Sequence, residues 1–444
     1  MIGQGVPSRL QITTVAALVA AATAVYTAGK YGDWFGSWGE LSRALEDSTT
    51  LTFPLLAAMG AWVTTSPVRK RFEWMIESSS RSRYAVLLGW TAMLTAGASF
   101  GHLAVSSVVH AMTFSEATYG RPVLLSAIVI IAGFFASCAF GSWLGTFLPP
   151  LVAPAAAIAG VYGILLFADT GKQSLMPLAG LTVSDPRERT YRYTEWWMLD
   201  LRVLWLLAMG LLFVALAADA RRRLGPPFIA GCVLATPLLF VGSNGMVVDS
   251  GALESRCHQP EKDVTVCFTA ARDHAYAEMA EVLKPMIAEL RGLVPQWRFV
   301  EETISERPDA SMSGGVLTSP FSLPNGVSGN SHVVNRGLFL TNISTRILQS
   351  NCTGAMQGVS QVPYATVNDV IQSWLLKELS VDLENTLPVY DVPRLDDDAL
   401  DYSRVQKFRD EWEVMPRDER QEWLGRHREE LLGCTLTDEA ASSQ

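Results

Sequence analysis

Up to about residue 247 the chain alternates long uncharged apolar stretches with short charged connections; beyond it charge is dense. A bilayer core needs about 20 apolar residues in helix. The segments that meet this length are 10–29, 48–66, 84–106, 122–147, 151–168, 198–219 and 227–246. The second is the weakest, because Pro54 and several threonines interrupt it, and Pro149-Pro150 turns the fourth into the fifth. The pattern predicts an α-helical polytopic membrane domain of about seven spans over residues 1–246. A small α+β extracytoplasmic domain over residues 247–444 follows.

In that second domain Val264 to Phe268 reads as a strand, and Asp273 to Leu293 as a helix with Met279, Leu283, Met286 and Leu290 on one face. Gln296 to Ile304 reads as another strand, and the Gly-, Ser-, Pro- and Asn-rich residues 305–335 as a long loop. Helices are expected near 364–380, 400–413 and 417–433, with Asp396-Asp397-Asp398 in the connection before the second of these.

Loop charge sets the orientation. Arg69, Lys70, Arg71, Arg81 and Arg83 lie between spans two and three, and Arg221-Arg222-Arg223 between six and seven. Both loops fall on one side with Arg9, which the positive-inside rule makes cytoplasmic. The loop 169–197 opposes this with Lys172, Arg187, Arg189 and Arg192, but it is longer and its bases are diluted by acids. The N-terminus is then cytoplasmic and the C-terminal domain extracytoplasmic. Trp34, Trp38, Trp196 and Trp197 flank spans on the outer side, the usual level for amphipathic rings. Ala22-Thr23-Ala24 resembles a signal-peptidase site, whose use would leave six spans.

Six cysteines divide between the two halves. Cys138 and Cys232 fall in apolar segments, whereas Cys257, Cys267, Cys352 and Cys434 all follow the last span. An even number on an oxidising side fits two disulfides, with reduced buried thiols as the alternative. The favoured pairing is the short-range Cys257–Cys267, leaving Cys352–Cys434.

The net charge of −9, without a basic stripe, gives no footprint for nucleic acid. No nucleotide-binding P-loop, zinc-protease motif or nucleophile elbow occurs, and the histidines are scattered, so neither an enzyme nor a cofactor or metal site is expected. The acids Asp396, Asp397, Asp398 and Asp401 lack the glycine and distal glutamate of an EF-hand.

Two patterns point to packing or partners. Gly133, Ser137, Gly141 and Gly145 recur every four residues in the fourth span, a face that admits another helix closely, within the chain or in an oligomer. Gly97 and Gly101 repeat this in the third. The loop from Pro67 to Arg83 is amphipathic if helical: Phe72, Met75 and Ile76 share a face, while Arg69 and Arg71 fall mostly elsewhere. Such a helix docks into a groove on a cytosolic partner or rests on anionic headgroups.

The run Pro54-Leu55-Leu56-Ala57-Ala58-Met59-Gly60-Ala61-Trp62, followed by Arg69-Lys70-Arg71, resembles the second span and first cytoplasmic loop of actinobacterial ABC-2-type permease-like membrane proteins. Val266-Cys267 and Met415-Pro416-Arg417-Asp418-Glu419-Arg420-Gln421-Glu422-Trp423-Leu424 ahead of Cys434 resemble the extracytoplasmic domain attached to some of them. The resemblance implies that a separate cytosolic ATPase contacts Pro67–Arg83. The expected function is therefore a permease-like subunit of an ABC-type exporter in a bacterial plasma membrane. The alternative is a membrane-anchored sensor or accessory binding protein working through its outer domain.

Overall fold

The computed structural model describes residues 9–65, 82–122, 124–170, 192–218, 246–301, 311–313, 316–321, 336–349, 362–379 and 402–433. The chain divides into two compact units, Met1–Asp249 and Ser250–Gln444.

The first unit is helical: α1 (Arg9–Gly29), α2 (Tyr31–Trp34), α3 (Trp38–Asp47), α4 (Thr49–Thr65), α5 (Arg83–Phe114), α6 (Leu124–Gly145), α7 (Val152–Thr170) and α8 (Trp196–Ala217). Among the described residues, Leu10–Gly29, Arg83–Phe114, Leu124–Gly145 and Trp196–Ala217 are long and apolar enough to cross a membrane, four candidate spans against the seven expected over the whole chain. The differences have local causes. Helix α4 has only 17 residues and contains Pro54, and in α7 only the apolar stretch Val152–Leu165 is fully described. The expected span 227–246 lies outside the described residues, apart from its last residue.

Close backbone approach holds these helices together. A Cβ at Gly141 would fall on the Ala57 carbonyl oxygen of α4, one at Gly145 on the Thr64 hydroxyl, and one at Gly133 on the Phe53 ring. Gly60 in turn faces the Cys138 carbonyl. Helix α1 meets α5 in the same way, with Ile12 3.0 Å from where a Cβ on Gly97 would sit, and Ala16 against Gly101. Small residues bring the backbones within dispersion range where lipid offers no hydrophobic drive.

One end of the unit is capped. Gly36 (φ 79°) turns α2 into α3, and Ser37 accepts a hydrogen bond from the Glu40 amide at 3.5 Å, as an N-cap does. Helix α3 buries Trp38, Leu41, Ala44 and Leu45. Trp34 and Trp38 are therefore core residues, unlike the exposed Trp196 and Trp197. The Trp34 indole donates to the Thr27 carbonyl at 2.8 Å, and Trp38 packs on His110 and Phe114 at the end of α5. At the start of α8, β1 (Arg192–Thr194) pairs antiparallel with β2 (Met246–Val248). Tyr119, beyond α5, donates to Asp249 at 2.9 Å.

The second unit is built on a mixed sheet of order β3-β4-β5-β7-β6, from β3 (Ser255–Glu261), β4 (Val264–Thr269), β5 (Gln296–Glu301), β6 (Ser311–Ser313) and β7 (Val316–Phe321). The ladders β4–β5 and β5–β7 are parallel; β3–β4 and β6–β7 are antiparallel. Two strands thus stand where composition predicted only loop, and β3 was not foreseen. A short 3-10 segment, Ala270–Ala275, leads into α9 (Tyr276–Glu289), which turns Met279, Leu283 and Met286 into the core. The helices α10 (Arg336–Gln349), α11 (Val362–Glu378), α12 (Tyr402–Val414), α13 (Arg417–Arg426) and α14 (Arg428–Gly433) follow. The helix expected over 417–433 is split at His427, the C-cap of α13. Trp374, Trp412 and Trp423 join one aromatic cluster there, and Arg420 lies 4.2 Å over the Trp374 ring.

Candidate functional site

The chemistry that stands out in the first unit is polar and buried. On α5, Thr91, Thr95, Ser99, His102, Ser106 and Thr113 are all buried. They recur at spacings of three, four and seven, so they form one stripe, about 33 Å long at the helical rise. Thr91 and Thr95 return their hydroxyls to the carbonyls four residues earlier, at 2.9 and 2.8 Å, a common satisfaction of hydroxyls in apolar helices. Others are not satisfied in that way. The Ser99 and Thr113 hydroxyls and His102 Nε2 are buried without a hydrogen-bond partner among the described residues. His102, 1 % exposed, has Nδ1 3.3 Å from the Thr23 hydroxyl of α1 and its ring edge-on to Phe134. His110 Nδ1 lies 2.7 Å from the Ser106 carbonyl, which can only accept, so that nitrogen carries the proton.

The strongest buried charge is Arg202 on α8, 1 % exposed. Among the described residues its Nε and Nη2 find no acceptor, and neither does Trp205 Nε1 one turn further along. The sequence allows Arg202 to snorkel to water, but only Asp200 is exposed. Arg202 interacts electrostatically with Glu46 of α3. Burial raises the Glu46 carboxyl above the ordinary range, while Arg202 and then Arg43 pull it back.

In the second unit two charged clusters are paired. Glu301, 1 % exposed, accepts from the Thr269 amide and hydroxyl, both at 2.8 Å, and from Arg272 at 3.2 Å. His258 Nε2 lies 2.6 Å from Asp273, which Arg256 approaches at 3.5 Å. The His258 ring stacks on Tyr276 at 4.1 Å. Among the described residues no group of three or more His, Cys, Asp or Glu is placed to hold a metal ion.

The predicted site residues separate as follows. Cys257 and Cys267 form a disulfide between β3 and β4, where they face one another in the register. Cys352 and Cys434, Asp396–Asp398, and the loop with Arg69, Arg71, Phe72, Met75 and Ile76 lie outside the described residues. Gly133, Ser137, Gly141 and Gly145 are brought together on the face of α6 that meets α4. Sequence reasoning missed the α5 stripe, Trp205 and the α3 carboxylate. The stripe was signalled by hydroxyl residues at helical spacing in the third span, and α3 by the Ser37-x-x-Glu40 capping pattern.

No protein-family model matches the chain, and no curated protein or solved structure is significantly similar to it.

Proposed function

We propose that this chain is a permease-like membrane subunit of an ABC-type export complex, driven by a separate cytosolic ATPase. The observation that carries the reading is the α5 stripe. Its length is comparable to a hydrocarbon core of about 30 Å. Unsatisfied polar atoms along such a line are costly unless they serve water or a polar ligand. A translocation path needs such a line, and a passive anchor does not.

In this reading the membrane domain crosses about seven times in a bacterial plasma membrane, with a cytoplasmic N-terminus and an extracytoplasmic second unit. The β1–β2 pairing supports the count. Helix α8 runs about 33 Å away from β1, and β2, later in the chain, pairs with β1 at the starting end. The disulfide supports the oxidising side for the second unit. The cytoplasmic loop Pro67–Arg83 is assigned to the ATPase, with Phe72 and Ile76 as anchors.

The test is purification of the tagged full-length chain from its native membrane. A stoichiometric ATPase, released by Phe72→Ala with Ile76→Ala, is the expected result. A chain that purifies without any ATPase would reject the reading. It would favour a membrane-anchored accessory binding protein, whose working surface would include the half-exposed His258 stacked on Tyr276.

A further inference from the structure

Three buried donor nitrogens on α8 have no acceptor among the described residues: Arg202 Nε, Arg202 Nη2 and, one turn along, Trp205 Nε1. All three are donors and one side chain is cationic, so the chemistry they lack is that of an oxyanion. Guanidinium nitrogens match phosphate and carboxylate oxygens two at a time, and an indole N–H donates a third bond.

Their position narrows the source. Arg202 and Trp205 stand about 9 and 14 Å along α8 from its first residue, by the helical rise. That first turn carries the exposed rings of Trp196 and Trp197, which suit the headgroup level. Trp205 is half-buried, and Leu204 beside it is exposed. The donors thus run from the packed face of α8 to the edge of its apolar exposed surface. A ligand arriving from that side is an amphiphile whose polar end turns inward.

We propose that Arg202 and Trp205 form a binding site for the phosphate headgroup of an anionic lipid or lipid-like molecule. Glu46 is the internal counter-charge: it balances Arg202 when the site is empty and opposes an incoming anion. The site is drawn from the first unit alone and holds whether or not an ATPase binds the chain.

The probe is phosphatidylglycerol, titrated against full-length protein in neutral detergent and followed by native mass spectrometry. Phosphatidylcholine with the same chains and inorganic phosphate form the other arms. The wild type should retain phosphatidylglycerol in preference to phosphatidylcholine. Trp205→Phe keeps the ring and removes only the donor, and should weaken retention by roughly threefold to tenfold. Arg202→Gln should abolish the preference. Glu46→Gln should strengthen retention, a direction that misfolding does not produce. Competition by inorganic phosphate at millimolar concentration, with no preference between the lipids, would keep the oxyanion site but make its ligand soluble. Equal retention of phosphatidylglycerol by wild type, Trp205→Phe and Arg202→Gln overturns the proposal.

Discussion

Arg202 and Glu301 are equally hidden, each 1 % exposed, and carry opposite charges in the two units. Around Glu301 everything is supplied. Strand β4 ends beside β5, so the Thr269 amide and hydroxyl meet the carboxylate, and the following 3-10 segment adds Arg272. Around Arg202 two nitrogens are left over and the counter-charge comes from a separate helix. A buried charge costs several kcal/mol unless it is paired and fully hydrogen-bonded. Glu301 meets that condition and belongs to the architecture. Arg202 does not, and a charge kept in an apolar helix under those terms points to a ligand or a moving part.

The largest expected effect follows from breaking the satisfied case. Glu301→Ala removes the buried carboxylate that accepts from the Thr269 amide and hydroxyl and from Arg272, and should destabilise the second unit by about 3–5 kcal/mol. Denaturant unfolding of the full chain, followed by hydrogen exchange in β4 and β5, measures it. A loss under 1 kcal/mol would mean that the carboxylate is not structural.

The Cys257–Cys267 disulfide comes next. It ties the edge strand β3 to β4 across 10 residues of sequence, a loop whose closure restricts the unfolded chain by about 2.7 kcal/mol in the entropy treatment. Replacing both cysteines by serine should lower the unfolding midpoint of the second unit and leave the first unchanged.

For the first unit the comparable lever is close approach. Gly141→Leu puts a side chain where the Ala57 carbonyl lies, and should cost at least about 1–3 kcal/mol through forced separation of α4 and α6. Gly89 has open space beyond its Cα, so Gly89→Ala should be neutral or raise thermal stability by up to about 1 kcal/mol. If the two variants melt alike in detergent, the packing argument is wrong.

The two units were also unequally legible in the sequence. Apolar length found the frame of the first, since the runs 10–29 and 122–147 closely bracket α1 and α6. It missed α3 because Glu40, Arg43, Glu46 and Asp47 make a connection of it by hydropathy, although half its surface is core. In the second unit, alternation located β4 and helical spacing located α9. Strand β3 has no such signature: Ser-Arg-Cys-His-Gln-Pro-Glu becomes a strand through its pairing with β4. Strands β6 and β7 flank Gly314-Gly315, a hairpin signal that the surrounding composition masked. The charges of the candidate site were visible one by one. Their electrostatic coupling was not, because Arg202 and Glu46 come from separate helices.

Replacing Arg202 by Met separates the two buried charges most sharply. Measured at a pH low enough to keep Glu46 protonated, an apolar residue of similar length removes unsatisfied donors without leaving a bare carboxylate, so the change should alter the stability of the first unit by less than about 1 kcal/mol. Selective retention of anionic lipid should vanish all the same. A loss as large as that from Glu301→Ala would make Arg202 a structural charge after all, and would erase the contrast.

The most local effect concerns pH. Glu46 has a raised folded-state pKa, with burial the larger cause and Arg202 opposing it. The sign follows from which state ionises first. At low pH the carboxyl is neutral both docked and released, and the docking of α3 keeps its full strength. As pH climbs past the ordinary carboxylate value, a released Glu46 ionises while the docked one holds its proton, so docking weakens. The weakening stops once pH exceeds the raised value. Hydrogen exchange of the amides in Trp38–Asp47, corrected for the intrinsic pH dependence of exchange, should therefore show protection falling as pH rises. Glu46→Gln mimics the neutral acid and should give a flat profile. Arg202→Met removes the attraction that opposes the shift, so it should steepen the wild-type fall. Parallel profiles for wild type and Glu46→Gln would mean that the α3 carboxyl is not held in a buried site, and Arg202 would lose its counter-charge.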